Sequence, residues 1–308
     1  MKTEIKIPAI AMTISLVGIV TIYSSTYMKQ GEFWQSMYQR QILWVALGLA
    51  AYAVFSRINY RRIWDWTYVI YALVIVLLLL VVGSGIVRLG AQRWLRIAWF
   101  NLQPSELAKF AVLIYMGRYC SKKSADDVGL KAHRYGIIRG LLIPFFFVAI
   151  PAAFIVEQPD LGSGALVFFL FLLMLYLGNI RLRYLALVVG ILVAAMPVAW
   201  HFLHGYQRDR ILVFLNPNID PLGAGYTIIQ SKIAIGSGGF FGKGWLAGTQ
   251  SQLFFLPEAH TDFIFAAFTE QWGFVGGALL LLLYYLLIRQ GINIAQTTGD
   301  HYGRLLSM

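Results

Sequence analysis

Tyr68-Val-Ile-Tyr-Ala-Leu-Val-Ile-Val-Leu-Leu-Leu-Leu-Val-Val-Gly-Ser-Gly-Ile-Val87 decides the fold class. A helix needs roughly 20 mostly apolar residues to cross the hydrocarbon core of a bilayer. This run has that length and no charged side chain. Similar runs recur near 7–25, 42–56, 105–119, 140–156, 162–178, 184–203 and 262–288. Those at 42–56 and 105–119 are the short or polar members of the set. The expectation is an all-α, polytopic transmembrane protein of about eight spans, built as a single membrane domain over residues 1–308.

Composition agrees. The chain is 59% hydrophobic and only 13% charged, about half the ~25% charge of a soluble domain. Its net charge of +11 would suggest nucleic acid in a soluble protein. Here the cations fall mostly in short loops, as membrane topology requires, so nucleic acid is excluded as a partner. Cys120 is the only cysteine, which rules out a disulfide framework and a cysteine metal site. The first apolar run lacks a small-residue cleavage site and reads as a retained span.

Basic residues set the orientation. One set of loops holds Lys2, Lys6, Arg57, Arg61, Arg62, Arg118, Lys122, Lys123, Lys131, Arg134, Arg139, Arg181, Arg183, Arg289 and Arg304. The other set is longer and carries fewer cations. The positive-inside rule puts the first set, and both ends, in the cytoplasm. Residues 204–261 then form one long extracytoplasmic loop. The outer segment 88–104 mixes Arg88, Arg93 and Arg96 with Trp94, Trp99 and Phe100, a composition suited to the membrane interface.

Ionisable residues at membrane depth are functional candidates by default. Glu106 and Lys109 in Gln103-Pro-Ser-Glu-Leu-Ala-Lys109 share a helix face and can pair. Asp160 in Glu157-Gln-Pro-Asp-Leu-Gly162 suits a helix cap or a ligand contact. Glu258, His260 and Asp262 lie in Leu256-Pro-Glu-Ala-His-Thr-Asp-Phe263. Pro257 is expected to open the last long helix, with Asp262 one turn inside it. A carboxylate there is placed to accept a proton from a hydroxyl arriving from outside. The same Glu, His and Asp could hold a divalent ion. Glu270 is expected to face a cavity or pair with Lys109.

The outer loop is rich in glycine and carries Arg208, Arg210 and Lys243. Glycine lets a backbone approach phosphate closely. It is not a Walker A loop, because Ser237 and Gly244 occupy positions that motif needs otherwise. A basic, Gly-rich outer loop beside an intramembrane carboxylate suits a substrate with a diphosphate head and a lipid tail.

Several motifs together resemble the SEDS family (shape, elongation, division and sporulation). They are Gln103-Pro-Ser-Glu106, Gln158-Pro-Asp-Leu-Gly162, Tyr206-Gln-Arg208, Asp220-Pro-Leu-Gly-Ala-Gly-Tyr226, Gln230-Ser-Lys-Ile-Ala-Ile-Gly-Ser-Gly-Gly239, Gly248-Thr-Gln-Ser-Gln252 and Leu256-Pro-Glu-Ala-His-Thr-Asp-Phe-Ile-Phe265. They span nearly the whole chain, and their wording is that of the elongation branch. The resemblance implies a peptidoglycan glycosyltransferase that polymerises lipid II outside the bacterial cytoplasmic (inner) membrane and releases undecaprenyl diphosphate. It puts the family's essential aspartate, the general base, on Asp262. Arg208 and Lys243 are the expected diphosphate contacts. Glu106, Lys109, Asp160, Glu258 and His260 are the further substrate-binding candidates. A divalent cation is a second way to neutralise the leaving group, and the residues leave both open. The implied partner is a class B penicillin-binding protein, a transpeptidase. The resemblance also implies ten spans, so the last two family spans are expected to be missing after Met308. Two other readings fit the same residues: a lipid II flippase, and a non-catalytic scaffold for the transpeptidase.

Overall fold

The structure is a computed structural model. It describes residues 3–29, 31, 34, 36–88, 91–97, 100–127, 141–158, 160–178, 180, 182–203 and 205–308. Lys2, Lys131, Arg134, Arg139 and Arg181, used to orient the chain, and Trp99 of the aromatic outer segment lie outside the described residues.

Every expected span falls on a helix. In chain order these are α1 (Thr3–Thr26), α2 (Met37–Phe55), α3 (Tyr60–Ser84), α4 (Pro104–Asp127), α5 (Ile143–Glu157), α6 (Leu161–Leu177) and α7 (Leu182–Phe202). After the short segments α8 (Gly205–Leu215), α9 (Tyr226–Ser237) and α10 (Thr249–Gln252) come α11 (Ile264–Thr297) and α12 (His301–Ser307). Lys6–Thr26, Tyr60–Ser84 and Ile264–Thr297 are long and apolar enough to cross a membrane by length and composition alone. Ile143–Glu157, Leu161–Leu177 and Leu182–Val198 are apolar but shorter.

Two expectations need correction. Residues 88–104 are not simply an interfacial anchor. They contribute to a small antiparallel sheet, β1 (Ile86–Arg88), β2 (Ala91–Ile97) and β3 (Phe100–Leu102), in the order β1-β2-β3. Leu95 pairs with Leu102 and Ile97 with Phe100. The span expected to reach residue 87 accordingly ends at Ser84, where Gly85 takes an extended conformation (φ −68, ψ 152). The second correction concerns Pro257, which does not open the last helix. Glu258 adopts a left-handed backbone (φ 51), which an α-helix cannot propagate. Its carbonyl instead accepts from Thr261 N (3.1 Å) and Phe263 N (3.2 Å), closing a turn. Asp262 therefore sits ahead of α11, not one turn inside it.

The chain divides into two compact units, Met1–Arg57 with Met196–Gly291, and Ile58–Ala195 with Ile292–Met308. In the second unit, α3, α4, α5 and α6 pack around Leu78, Val112, Met116, Val148, Ile155, Val167 and Phe171. Ala108, Ala111 and Ala152 are buried in the same core, small side chains that let helix backbones approach in a membrane. Asn59 starts α3 by accepting from Arg61 N (3.0 Å).

In the first unit the decisive feature is a break in α11. Gly273 has φ 67 and ψ −166. The helical bonds from residues 274 and 275 to the carbonyls of 270 and 271 are replaced by bonds to Gly239–Gly244. Phe274 N donates to Gly239 O (2.9 Å) and Val275 N to Phe240 O (3.1 Å). Lys243 N donates to Glu270 O (3.1 Å) and Gly244 N to Gln271 O (3.0 Å). An unpaired backbone group in lipid costs several kcal/mol, so the inserted segment is what makes the break tolerable. Glycine is required on both sides. A Cβ on Gly273 would strike Gly242 N, and one on Gly242 would strike Gln271 O.

Candidate active site

The loop inserted at the break brings Lys243 to Glu270. Glu270 is completely buried. Its Oε1 lies 2.8 Å from Lys243 Nζ and accepts from Gln250 N (2.9 Å) and Thr249 Oγ1 (3.1 Å). Ser251 N donates to Oε2 (3.4 Å). A buried carboxylate is tolerated only with such charge-assisted partners. The sequence left Glu270 between a cavity and Lys109; its partner is Lys243. Lys243 also donates to Thr249 Oγ1 (2.8 Å), so this expected diphosphate contact commits two of its three donors to protein. The next residue, Gln271, accepts from Ser24 Oγ of α1 (2.6 Å) and from Leu246 N (3.4 Å). The Tyr23 ring stacks on Trp245 at 6.2 Å. These contacts tie the C-terminal end of α1 to the loop.

Beside this lock lies the turn Leu256–Phe263. Asp262 is exposed. Among the described residues its carboxylate has no hydrogen bond or ion pair. Glu258 is also exposed, but it accepts from Thr261 Oγ1 (3.1 Å) and lies 3.8 Å from His260 Nε2. His260 is held edge-on to Trp34, with centroids 5.2 Å apart. Burial pushes its pKa below the usual 6.5, and Lys29 pushes the same way against Glu258 and Asp262. The imidazole is therefore neutral at pH 7. Its Nδ1 is buried without a hydrogen-bond partner among the described residues.

Among the described residues no three His, Cys, Asp or Glu side chains are grouped to hold a metal ion.

Arg208, on α8, donates from Nη2 to the His201 carbonyl (2.8 Å). That carbonyl lies in the last turn of α7, where a cation is favourable. Arg208 Nε is buried and has no partner among the described residues.

The second unit holds the remaining candidates. Glu106 and Lys109 pair at 2.8 Å in the first turns of α4, as their spacing predicted. Asp160 caps α6 by accepting from Ser163 N (3.4 Å). It also accepts from Gln103 Nε2 (3.3 Å) and faces Arg93 Nη1 at 3.7 Å. Arg93 comes from β2 and donates from Nε to Gln158 O (3.4 Å). The sheet that the sequence reading missed is thus what carries the arginine to Asp160.

Lys29 also belongs to the turn region, and the sequence reading does not single it out. Its position just after α1, between Tyr27 and Trp34, was the available signal.

Comparison with known proteins puts a family behind this geometry. The FtsW/RodA/SpoVE cell cycle protein family matches residues 5–308. The chain belongs to this SEDS family. It is 43% identical to the Escherichia coli K12 peptidoglycan glycosyltransferase MrdB over 272 residues, covering 88% of this chain and 71% of that protein. It is 36% identical to the probable peptidoglycan glycosyltransferase FtsW of Trichlorobacter lovleyi, covering 94% and 75%. A chain from a peptidoglycan synthase complex superposes with a TM-score of 0.78 at 28% identity, covering 98% of this chain and 80% of that one. The Thermus thermophilus rod shape determining protein RodA shares the fold, with a TM-score of 0.67 at 23% identity, covering 98% and 78%. This SEDS protein is a multi-pass protein of the inner membrane and a peptidoglycan glycosyltransferase.

Proposed function

We propose that this SEDS protein polymerises lipid II, the undecaprenyl-diphosphate-linked disaccharide-pentapeptide, on the outer face of the membrane, with Asp262 as general base. One observation carries the reading. Asp262 is exposed and without a hydrogen bond or ion pair among the described residues, just ahead of α11, while Glu270 within that helix is buried and fully bonded. A base must reach a substrate proton, and only one of these two carboxylates is free to do so.

The step is a displacement at an anomeric carbon. A glycan hydroxyl of the acceptor gives its proton to Asp262 Oδ as its oxygen bonds to that carbon. The bond from carbon to the diphosphate oxygen breaks, and its electron pair leaves with undecaprenyl diphosphate. Attack opposite the leaving group inverts the centre. Arg208 and the remaining donor of Lys243 supply positive charge for the diphosphate. Glu106 and Lys109 are further substrate contacts in this reading, and Asp160 holds the α5–α6 corner.

The elongation role is supported by 43% identity to MrdB against 36% to an FtsW. A transpeptidase of the class B penicillin-binding type is the proposed partner. Its support is the similarity to a chain whose complex coordinates polymerisation and crosslinking.

The test is polymerisation of purified lipid II in liposomes by the parent and by Asp262→Ala. Loss of glycan strands with unchanged thermal unfolding is expected. A variant that polymerises at the parent rate removes Asp262 as the base. Lipid II transfer across the bilayer without polymer would replace the reading with a flippase.

A further inference from the structure

Lys29 follows α1 and is only 8% exposed. Its Nζ sits 4.0 Å from the Trp34 ring centroid and 5.5 Å from that of Phe254. Among the described residues its ammonium makes no hydrogen bond or ion pair, and the aromatic rings are its close contacts. Burial lowers its pKa, with Glu258 opposing. A desolvated ammonium is costly without a partner, and aromatic faces return only part of that cost.

A second unpaired donor site belongs to the same cluster. His260 packs its ring on Trp34 (5.2 Å) and leaves Nδ1 buried without a hydrogen-bond partner among the described residues. Its neutral imidazole can carry a hydrogen on that nitrogen. The two nearby carboxylates do not satisfy these groups. Glu258 and Asp262 are both exposed, where water screens them. The backbone is strained at the two residues that flank the cluster: Phe254 (φ 64) and Glu258 (φ 51) are both left-handed. Such strain is held only where surrounding structure over-determines it.

We infer that Lys29 and His260 form an oxyanion-accepting subsite for the diphosphate headgroup of the lipid substrate or product. A lysine is a compact point charge suited to phosphate, and His260 Nδ1 adds a directional donor. The subsite adjoins the Glu258–Asp262 turn, so the turn that carries the base also carries the His260 donor, while Lys29, just after α1, supplies the charge. The inference rests on the reading of Asp262 as the reacting centre.

The experiment measures binding, so that it stands apart from catalysis. Equilibrium binding of undecaprenyl diphosphate in detergent is compared for the parent, Lys29→Met and Lys29→Arg, all in the Asp262→Asn background. Inorganic diphosphate and undecaprenol serve as separate probes. Lys29→Met should weaken undecaprenyl diphosphate at least 10-fold, Lys29→Arg less than threefold, and undecaprenol binding should not change. A parallel loss for inorganic diphosphate assigns the contact to the headgroup itself. The thermal midpoint of Lys29→Met should not fall, because the desolvated charge is gone. His260→Phe, which keeps the ring against Trp34, should also weaken the diphosphate. Unchanged diphosphate binding in Lys29→Met overturns the inference. So does equal loss of diphosphate and undecaprenol, or a lowered midpoint without selective loss of the diphosphate, since either marks Lys29 as packing. Full polymerisation by Asp262→Asn alone would instead remove the base assignment and leave the binding result standing.

Discussion

Asp262 and Glu270 are eight residues apart, and they are opposite in every physical respect. Glu270 lies inside a membrane helix and is sealed from solvent. Its carboxylate is fixed by Lys243, Thr249, Gln250 and Ser251. Asp262 lies before the helix, exposed and without a hydrogen bond or ion pair among the described residues. Burial with full bonding marks a carboxylate that holds structure. Exposure leaves the other open to a substrate. In the proposed reading the difference separates a lock from a reacting group on one short stretch of chain, where the sequence offers two acids of similar chemical type.

Four substitutions or conditions would break or sharpen that contrast. The largest effect belongs to Asp262→Asn, which should cut polymerisation about 10²–10⁴-fold, the range a general base supplies. Its thermal midpoint in detergent should stay at the parent value. A fall in midpoint would mean that Asp262 holds structure as Glu270 does.

Glu270→Ala comes next. It strands Lys243 and three loop donors, and should lower unfolding stability by about 3 kcal/mol. That figure is at the low end for a broken buried pair because Lys243 keeps some access to water. Denaturant or thermal unfolding in detergent reads it. Glu270→Gln should recover part of the loss by keeping the acceptor oxygen.

Gly273→Ala should cost about 1–3 kcal/mol, since the residue is left-handed and its Cβ would press on Phe240 O. Loss of stability without a change in lipid II affinity would confirm the break as scaffold.

The smallest effect is the pH response of His260. Its folded pKa is lowered below the unfolded 6.5, so the neutral form stabilises the fold. That contribution is present above pH 6.5 and is lost as pH falls through the folded pKa. Midpoints measured across the acid range should drop more for the parent than for His260→Phe.

The helices were legible because lipid leaves the chain little choice: apolar length alone located every span in the described residues. Asp160's cap and the Glu106–Lys109 pair were equally legible, since both follow from spacing along one helix. What stayed hidden were contacts across long sequence separations. Nothing local tells Glu270 that its partner is Lys243, because the pairing depends on a loop entering a broken helix. The sheet was missed because its strands are short and carry no alternating pattern over more than a few residues. Asp262 was identified by resemblance, but its placement ahead of the helix depends on a left-handed glutamate that composition does not foretell.

The insertion of Gly239–Gly244 at Gly273 also sets a rule for exchanging parts between relatives. Four backbone bonds join the loop to the helix. A chimera that takes a foreign outer loop and keeps its own α11 would leave those amides and carbonyls facing hydrocarbon. Transplants should therefore carry residues 239–244 and 270–275 together, as a single exchangeable cassette.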